Sequence, residues 1–382
     1  MNPGIDVRPP GQRASATPVR VAVIGAGWMG QVHANCLAAS GRAEVAAVVD
    51  PSQRSREDFV ARFPGAVPYA GVEEMLAGSD ASLVTVCAPS GLHAELALPC
   101  LREGRHVVVE KPLATTVADG EAMVAAAAAG GATLSVILQY RFTRDALRLK
   151  RAVDAGLFGT LLFANVSNLI SRDTEYFEAS GGWRGTWELN GGGVLINQTT
   201  HGMDLLHWCM GPVASVSGTA ATRRHRVEVE DTLDASLTFP GGAMGHVQAT
   251  SAASANRPLR LEIIGTEGAA VFERSRLTRW EPSRDVELLS AAEKELMPPA
   301  PDDVFGEPFG TAHERQYRAV LDALEDGSTP PVPAAEALGS LRTISQVYAA
   351  VDGPAAKPAS VSAAAIAAAG PAMVAAGVNG AL

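Results

Sequence analysis

The sequence predicts an α/β Rossmann domain with a doubly wound parallel sheet, followed by an α+β domain with a large, mostly antiparallel open sheet. Three observations support this fold class. Up to about residue 139, short apolar β runs alternate with single helical segments, which is typical of parallel sheets. From about residue 160, β-rich segments follow one another with few helices between them. A Pro-Gly-Gly sequence at 240–242 predicts a hairpin turn between two of those segments.

Composition narrows the class of protein. The chain has 382 residues, enough for two domains, of which 47% are hydrophobic and 19% charged. A net charge of −10 argues against a nucleic-acid partner, because nucleic-acid binding needs a basic surface. The cysteines are scattered with no CxxC pair, which favours reduced thiols and a cytoplasmic location over disulfides or a zinc knuckle. They are Cys36, Cys87, Cys100 and Cys209.

The chain divides into four predicted parts. Residues 1–18 are polar and rich in Pro and Gly, and we expect a disordered arm without the apolar core of a secretory signal. Residues 19–139 form the Rossmann domain and residues 140–352 the substrate and oligomerisation domain, whose last helices fold back onto the first domain. The Ala-rich tail, 353–382, lacks the ~20-residue apolar span that a bilayer requires. We therefore expect no membrane association.

A glycine motif follows the first predicted strand, VRVAVI. It reads Gly25-Ala-Gly27-Trp28-Met29-Gly30 and opens a helix, and the second predicted strand ends in Asp50. The first glycine allows a tight turn, the second lets a pyrophosphate approach the backbone, and the third lets the helix pack on the sheet. The Asp50 carboxylate suits both ribose hydroxyls and would repel a 2′-phosphate. The motif predicts a bound NAD, while Arg54 and Arg56 leave NADP possible.

Two further segments lie at predicted strand ends, where ligands bind in doubly wound sheets. We expect them beside the nicotinamide, with His93 alternatively a helix cap; they contribute Pro89, Ser90, His93, Glu110 and Lys111. A partly desolvated lysine near a cationic nicotinamide should have a lowered pKa. Lys111 could then donate to a substrate oxygen or shuttle a proton.

The stretch 190–208 reads NGGGVLINQTTHGMDLLHW. On a helix, Asn197, His201 and Asp204 fall within an arc of about 60°, and His207 lies a further ~60° round. Taken alone, the stretch fits a metal site, a catalytic helix or a buried polar patch. The metal reading would use His201, Asp204 and His207, but no cysteine or further histidine is near in sequence. We therefore predict no metal.

Together these features resemble the Gfo/Idh/MocA oxidoreductase family over about residues 19–350. The resemblance is carried by the glycine motif, the Glu-Lys-Pro at 110–112, the Gly-Gly-Gly helix and the segment Trp183-Arg184-Gly185-Thr186-Trp187. It implies an NAD(P)-binding Rossmann domain and a second domain whose open sheet forms homodimers or homotetramers. It also implies oxidation of a secondary hydroxyl of a sugar, inositol or sugar derivative, or reduction of the ketone. In the family pattern the lysine matches Lys111 and the histidine matches His201, while the usual aspartate position is Asn197.

The resulting hypothesis is hydride transfer between a substrate carbinol and NAD. His201 would take the hydroxyl proton with a pKa near the ordinary value of about 6.5, and Lys111 would bond to the same oxygen. Asn197 can bond to Lys111 but carries no charge, and Asp204 would orient His201. We expect the substrate pocket to be lined by Arg141, Trp183, Arg184, Trp187 and Asp204. Two alternatives are an NAD-dependent glycosidase or eliminating enzyme that oxidises the sugar transiently, and a non-catalytic dinucleotide sensor.

Overall fold

The computed structural model describes residues 17–179, 181–298 and 309–352. The predicted arm, except for its last two residues, and the predicted Ala-rich tail lie outside the described residues. The described chain forms two sheets with helices around them, which confirms the predicted fold class.

The first sheet has six parallel strands in the order β3-β2-β1-β4-β5-β6. Their order reverses between β1 and β4, and in such sheets ligands bind in the crevice beyond that point. The short edge strand β3 was not predicted from the sequence. The strands are β1 (Val19–Ile24), β2 (Ala43–Val49), β3 (Val67–Tyr69), β4 (Leu83–Val86), β5 (His106–Val109) and β6 (Leu134–Val136).

Helices cover both faces of this sheet, as its apolar residues require. Five of them connect its strands: α1 (Trp28–Ala39), α2 (Gln53–Arg62), α3 (Val72–Gly78), α4 (His93–Arg102) and α5 (Val117–Ala129). The predicted domain boundary falls in a 3-10 turn, Gln139–Phe142.

The second sheet has eight strands in the order β13-β12-β11-β7-β10-β9-β8-β14. The pairs β7–β10 and β8–β14 are parallel and the other pairs are antiparallel, as the sequence predicts for most of the sheet. Burial alternates along β9, so one face packs on the core and the other is exposed. The strands are β7 (Leu161–Leu169), β8 (Ser215–Ala221), β9 (Thr232–Thr238), β10 (Met244–Thr250), β11 (Arg260–Gly265), β12 (Ala269–Glu273), β13 (Arg276–Glu281) and β14 (Val351–Asp352).

The last two helices pack against the first sheet and its helices. Tyr317 and Val320 of one of them pack with Val21, Leu83 and Val108. The helices of this second part are α6 (Arg144–Asp154), α7 (Thr174–Glu178), α8 (Trp187–Asn190), α9 (Thr200–Met210), α10 (Ala291–Leu296), α11 (Thr311–Asp326) and α12 (Ala334–Ala350). Within the described ranges, no helix has an apolar run long enough to cross a bilayer.

Candidate active site

The glycine loop between β1 and α1 has the geometry that a dinucleotide requires. Gly25 has a φ of +98°, and a Cβ there would lie 2.7 Å from the carbonyl oxygen of Cys87. A Cβ on Gly30 would lie 1.9 Å from the carbonyl oxygen of Gly25, so the helix can approach the loop only without a side chain. Gly27 has no atom within 4 Å of its Cβ position, which leaves its backbone open to a phosphate. The loop fits the pyrophosphate of NAD.

Asp50 at the end of β2 closes this loop. Its Oδ2 accepts a hydrogen bond from the Ala26 N–H at 2.9 Å, and its Oδ1 accepts one from the Ser52 N–H at 2.9 Å. Burial raises the pKa of the carboxyl, and the two backbone donors oppose that rise. Each carboxylate oxygen accepts two hydrogen bonds, so one acceptor position on each remains for a ribose hydroxyl. Trp28, half exposed, and the partly exposed Met29 follow the loop.

His93 connects the ends of two strands. Its Nδ1 lies 2.8 Å from the carbonyl oxygen of Pro112, and its Nε2 lies 3.0 Å from that of Ala88. The ring is only 1% exposed, and burial lowers its pKa. His93 therefore holds the strand ends together, and the prediction that it lines the cofactor pocket is corrected. Ser90 is also buried, whereas Pro89 is partly exposed.

The Glu110 carboxylate binds the main chain of Lys111 and the ring of His33. Its Oε1 lies 2.8 Å from Nε2 of His33, and its Oε2 accepts the backbone N–H of Lys111 at 3.0 Å. Burial would raise the pKa of Glu110, but His33 and the charge of Lys111 lower it to about 2. The Glu110 carboxylate thus bonds to His33 and to the Lys111 main chain, and its contact with the cofactor stays a prediction. His33 was missed from the sequence, where it is one histidine on an apolar helix.

His33, Glu110 and His313 bring possible metal-ligand atoms within 4.8 Å of one another. Both ring nitrogens of His33 are already bonded, since its Nδ1 lies 2.7 Å from the Tyr317 hydroxyl. The cluster is therefore a hydrogen-bond network that joins α1, β5 and α11. His201, Asp204 and His207, the set considered from the sequence, do not form such a cluster among the described residues.

Lys111 reaches the second domain. Its Nζ donates to the backbone carbonyl of Asn197 at 3.0 Å. The side chain is partly buried, and burial, with a contribution from the Arg184 charge, lowers the pKa of the ammonium although Glu110 opposes this. Lys111 and Asn197 therefore meet, but through the main chain of Asn197 and not its amide.

Asn197 lies in a turn before α9, because that helix begins at Thr200. The expectation that it shares one helix with His201 is corrected. Its Nδ2 donates to Oδ1 of Asn190 at 2.6 Å. Asn190 in turn donates from Nδ2 to the carbonyl oxygens of Arg184 and Gly192. This chain of amides fixes the turn that carries the partner of Lys111.

His201 lies in the first turn of α9. Its Nε2 is 3.4 Å from the Gln139 amide nitrogen, and its ring meets Tyr140 edge-on at 5.0 Å. Its Nδ1 is buried and has no hydrogen-bond partner in the described part of the chain. Burial, together with the charge of Lys111, lowers its pKa to about 3. His201 is thus neutral near pH 7, and the expected pKa of about 6.5 is corrected.

Arg141 and Asp204 form an ion pair in the interior. The Asp204 carboxylate accepts from Nε and Nη2 of Arg141 at 2.7 and 2.6 Å and from the Ser340 hydroxyl at 2.9 Å. Both side chains are 2% exposed. The pair joins α9 to the turn before α6, so neither residue lines a substrate pocket and Asp204 does not orient His201. His207 packs on α12, where its Nδ1 lies 3.3 Å from the Thr343 hydroxyl.

The two ends of the segment 183–187 differ in burial. Trp187 is buried and meets the Tyr348 ring edge-on at 5.3 Å, so it belongs to the core and not to the substrate pocket. Trp183 and Arg184 are partly exposed, and the Arg184 guanidinium lies 5.1 Å from the Trp183 ring centre. Trp183 and Arg184 remain candidates for substrate contact.

A glycine loop open to a pyrophosphate, with a lysine at a strand end of the same sheet and a neutral histidine near it, defines an NAD-binding oxidoreductase. Residues 19–138 match the oxidoreductase family with an NAD-binding Rossmann fold, and residues 146–271 match the Gfo/Idh/MocA C-terminal domain. The chain belongs to the Gfo/Idh/MocA family.

Relatives and solved structures agree with that assignment. The chain is 26% identical to myo-inositol 2-dehydrogenase of Thermotoga maritima over 68% of this chain and 77% of the relative. The WlbA dehydrogenase from Bordetella pertussis is similar with a TM-score of 0.79 at 30% identity, covering 88% of this chain and 96% of that one. The WlbA dehydrogenase from Chromobacterium violaceum gives a TM-score of 0.77 at 32% identity, with 91% and 96% covered.

Proposed function

We propose that this chain oxidises a secondary hydroxyl of a sugar, polyol or sugar derivative with NAD, and that Lys111 and His201 are its catalytic residues. One observation carries the assignment of roles. His201 has a buried, unpartnered Nδ1 among the described residues, and the charge of Lys111 is close enough to lower its pKa. A neutral imidazole beside an ammonium is the arrangement of a base and a donor for one hydroxyl.

Each residue has a defined part in this reaction. Bound NAD supplies the hydride acceptor, its nicotinamide ring. As the carbinol C–H bond breaks, the hydroxyl proton passes to His201 and the carbon–oxygen bond becomes a carbonyl. An ammonium has three N–H donors, and Lys111 gives one to Asn197, so two remain to stabilise the developing negative charge on the substrate oxygen. The reduction of a ketone runs through the same positions in reverse.

The relatives support this substrate class. One is named for oxidation of myo-inositol at its second position. Two similar structures hold NADH together with UDP-GlcNAcA. Free polyols and nucleotide-linked sugars therefore both belong in a substrate panel.

The test is NAD reduction, followed at 340 nm with inositols, sugars and nucleotide sugars. His201→Asn should lower kcat by about 10²–10⁴, the range for a positioned general base. His106→Asn is the matched control, because His106 begins β5 at the end opposite to Lys111. Full activity in His201→Asn would overturn the assigned base. Release of an aglycone without accumulation of NADH would instead favour the glycosidase reaction.

We also propose that the open face of the second sheet forms a homodimer or homotetramer. Phe163 and Met244 pair in register across β7 and β10 and are 38% and 50% exposed, and Leu162 is 39% exposed. Apolar side chains on an uncovered sheet are typical of subunit interfaces. Met244→Glu should lower the mass measured by analytical ultracentrifugation. A wild-type monomer at micromolar concentration would contradict the proposal.

We further propose that the protein works in the cytoplasm. All four cysteines are free thiols, and three of them are buried with a pKa raised to about 12 by burial, so a reducing compartment suits them. Fractionation of the source cells should recover the chain with cytoplasmic markers, and recovery with an extracellular or membrane fraction would contradict this location.

A further inference from the structure

The guanidinium groups of Arg172 and Arg184 stack on the ring of Tyr176 near the candidate active site. The Arg172 and Arg184 guanidinium carbons lie 5.0 and 4.7 Å from the ring centre of Tyr176. Arg184 also donates to the Tyr176 carbonyl oxygen at 3.2 Å, and Arg172 donates to that of Ser171 at 3.0 Å. Stacking on an aromatic ring holds a guanidinium in place while leaving its edge available to an anion.

This arginine pair is tied to Lys111 by short connections. The Tyr176 hydroxyl accepts from Nε2 of Gln198 at 3.0 Å, and Gln198 directly follows Asn197, whose carbonyl holds Lys111. The Asn190 amide connects the Arg184 carbonyl to the side chain of Asn197. The charge of Arg184 also contributes to lowering the pKa of Lys111, so the two cations repel each other electrostatically.

The charges of the pair are not neutralised within the described chain. Arg172 and Arg184 have no carboxylate oxygen within 4.0 Å among the described residues, although the protein carries a net charge of −10. The Arg172 Nε is buried and has no hydrogen-bond partner in the same part of the chain. A buried, unpaired donor on a charged group is costly, so Arg172 lacks the internal partners that a purely structural cation usually has.

We propose that the arginine pair binds an anionic group of the substrate, so that this dehydrogenase acts on an acidic sugar derivative. This rests on the proposed function, since it places the anion beside the hydroxyl that Lys111 and His201 address. Arginine binds carboxylates and phosphates with two parallel hydrogen bonds. The anion is therefore either a carboxylate on the sugar ring or a phosphate linked to the sugar.

A panel of four substrates distinguishes the two sources of charge. It consists of glucose, glucuronate, UDP-N-acetylglucosamine and the corresponding UDP-linked uronate. If the pair binds a ring carboxylate, each uronate exceeds its neutral counterpart in kcat/KM. If it binds phosphate, both nucleotide sugars exceed both free sugars. Equal kcat/KM for all four, or a preference for glucose, would overturn the anion site and leave the dehydrogenase reaction intact.

Variants then assign the preference to the arginine pair. Arg184→Gln should reduce kcat/KM for the preferred acidic substrate by about 10- to 100-fold, the loss of a charge-assisted hydrogen bond. Because the Arg184 charge also acts on Lys111, a neutral sugar should lose activity too. The ratio of kcat/KM for the acid to that for its neutral counterpart should still fall by about 10-fold or more, and Arg184→Lys should retain part of the preference. Arg102→Gln removes an exposed cation of the Rossmann domain and should change neither value. An equal loss for charged and neutral substrates would show that Arg184 is only structural.

Binding measurements test the anion site independently of the proposed hydride transfer. Titration calorimetry of the NADH complex with the preferred acid and its neutral counterpart requires no turnover. Acid binding that is weakened in Arg184→Gln supports the anion site even if no panel member reduces NAD, in which case the hydride-transfer proposal is the one that fails. Equal affinity for the acid and the neutral sugar, in both wild type and variant, overturns the site.

Discussion

Replacing Glu230 with glutamine should change how the stability of the protein depends on pH. Glu230 lies just before β9 and is buried. Its Oε2 accepts the Gly193 N–H at 2.9 Å, and its Oε1 accepts the Leu195 N–H at 3.0 Å and the Tyr348 hydroxyl at 2.8 Å. It thereby supports the glycine turn that leads to the active-site helix, with no cation within 4.0 Å in the described ranges.

Burial raises the pKa of Glu230 from 4.5 to about 7, although its three hydrogen-bond donors oppose the rise. At about 1.4 kcal/mol per pKa unit, this difference corresponds to about 3 kcal/mol. Because the folded pKa lies above the unfolded one, the folded state binds the proton more tightly. The stabilisation from Glu230 is complete below pH 4.5 and is lost as the pH rises to about 7.

The experiment follows the thermal unfolding midpoint of wild type and Glu230→Gln from about pH 5 to 8. Glutamine cannot ionise, so the stability difference between the two proteins should shift by up to about 3 kcal/mol in favour of the variant as the pH rises. In the midpoint this corresponds to ~5 °C for a chain of this size. The variant also loses one acceptor, which lowers its stability by a pH-independent amount.

Glu228→Gln is the matched control, because Glu228 is exposed and lies two residues earlier on the same segment. Its stability difference from wild type should stay constant across the range. If the Glu230→Gln difference is equally constant, Glu230 is ionised throughout, and the reasoning from burial is refuted.

Three further predictions concern the active site. Because the pKa of His201 is about 3, the pH profile of kcat/KM for oxidation should show no ionisation near pH 6.5. Lys111→Met should raise the His201 pKa in an NMR titration, and an unchanged pKa would contradict the effect of the Lys111 charge on His201. Gln139→Ala removes the partner of His201 Nε2 and should lower kcat up to about 10-fold while the KM for NAD stays constant; a raised KM for NAD alone would contradict that role. Asp50→Ala should raise the KM for NAD more than that for NADP, and the opposite order would overturn the ribose contact.

The parts of the site that could be predicted from sequence are local. The glycine loop and Asp50 lie directly at the ends of β1 and β2, and Lys111 is the second residue after β5, so strand order alone brings them to one edge of the sheet. Hydrophobic patterning was sufficient for most strands of both sheets. The edge strand β13 was missed, because its residues, Arg276–Glu281, are mostly polar and lack a buried face.

The partners that set charge could not be predicted, since they are distant in sequence. His33 and Glu110 are 77 residues apart, and Arg141 and Asp204 are 63 apart. A helical pattern places Asp204 one turn from His201 but gives no sign of the arginine that binds it. The pKa of His201 likewise depends on burial by the whole fold, which spacing does not reveal.

Asn197, which stands where the family pattern has an aspartate, is explained by its neighbour Asn190. Both amide hydrogens of Asn190 are donated, to the carbonyl oxygens of Arg184 and Gly192, so its Oδ1 must accept from the group that faces it. The Nδ2 of Asn197 supplies that donor at 2.6 Å. An aspartate there would place two acceptors against each other, at a cost of about 1–3 kcal/mol.

Asn197→Asp should therefore destabilise the turn and lower kcat, even though it restores the residue usual in the family. Lys111 depends on the Asn197 main-chain carbonyl, so the added carboxylate is not required to hold the ammonium. A lowered unfolding midpoint together with a lowered kcat is the expected result. If Asn197→Asp instead keeps its unfolding midpoint and raises kcat, the side chain at position 197 acts on Lys111 directly, and the amide pair does not determine the residue at this position.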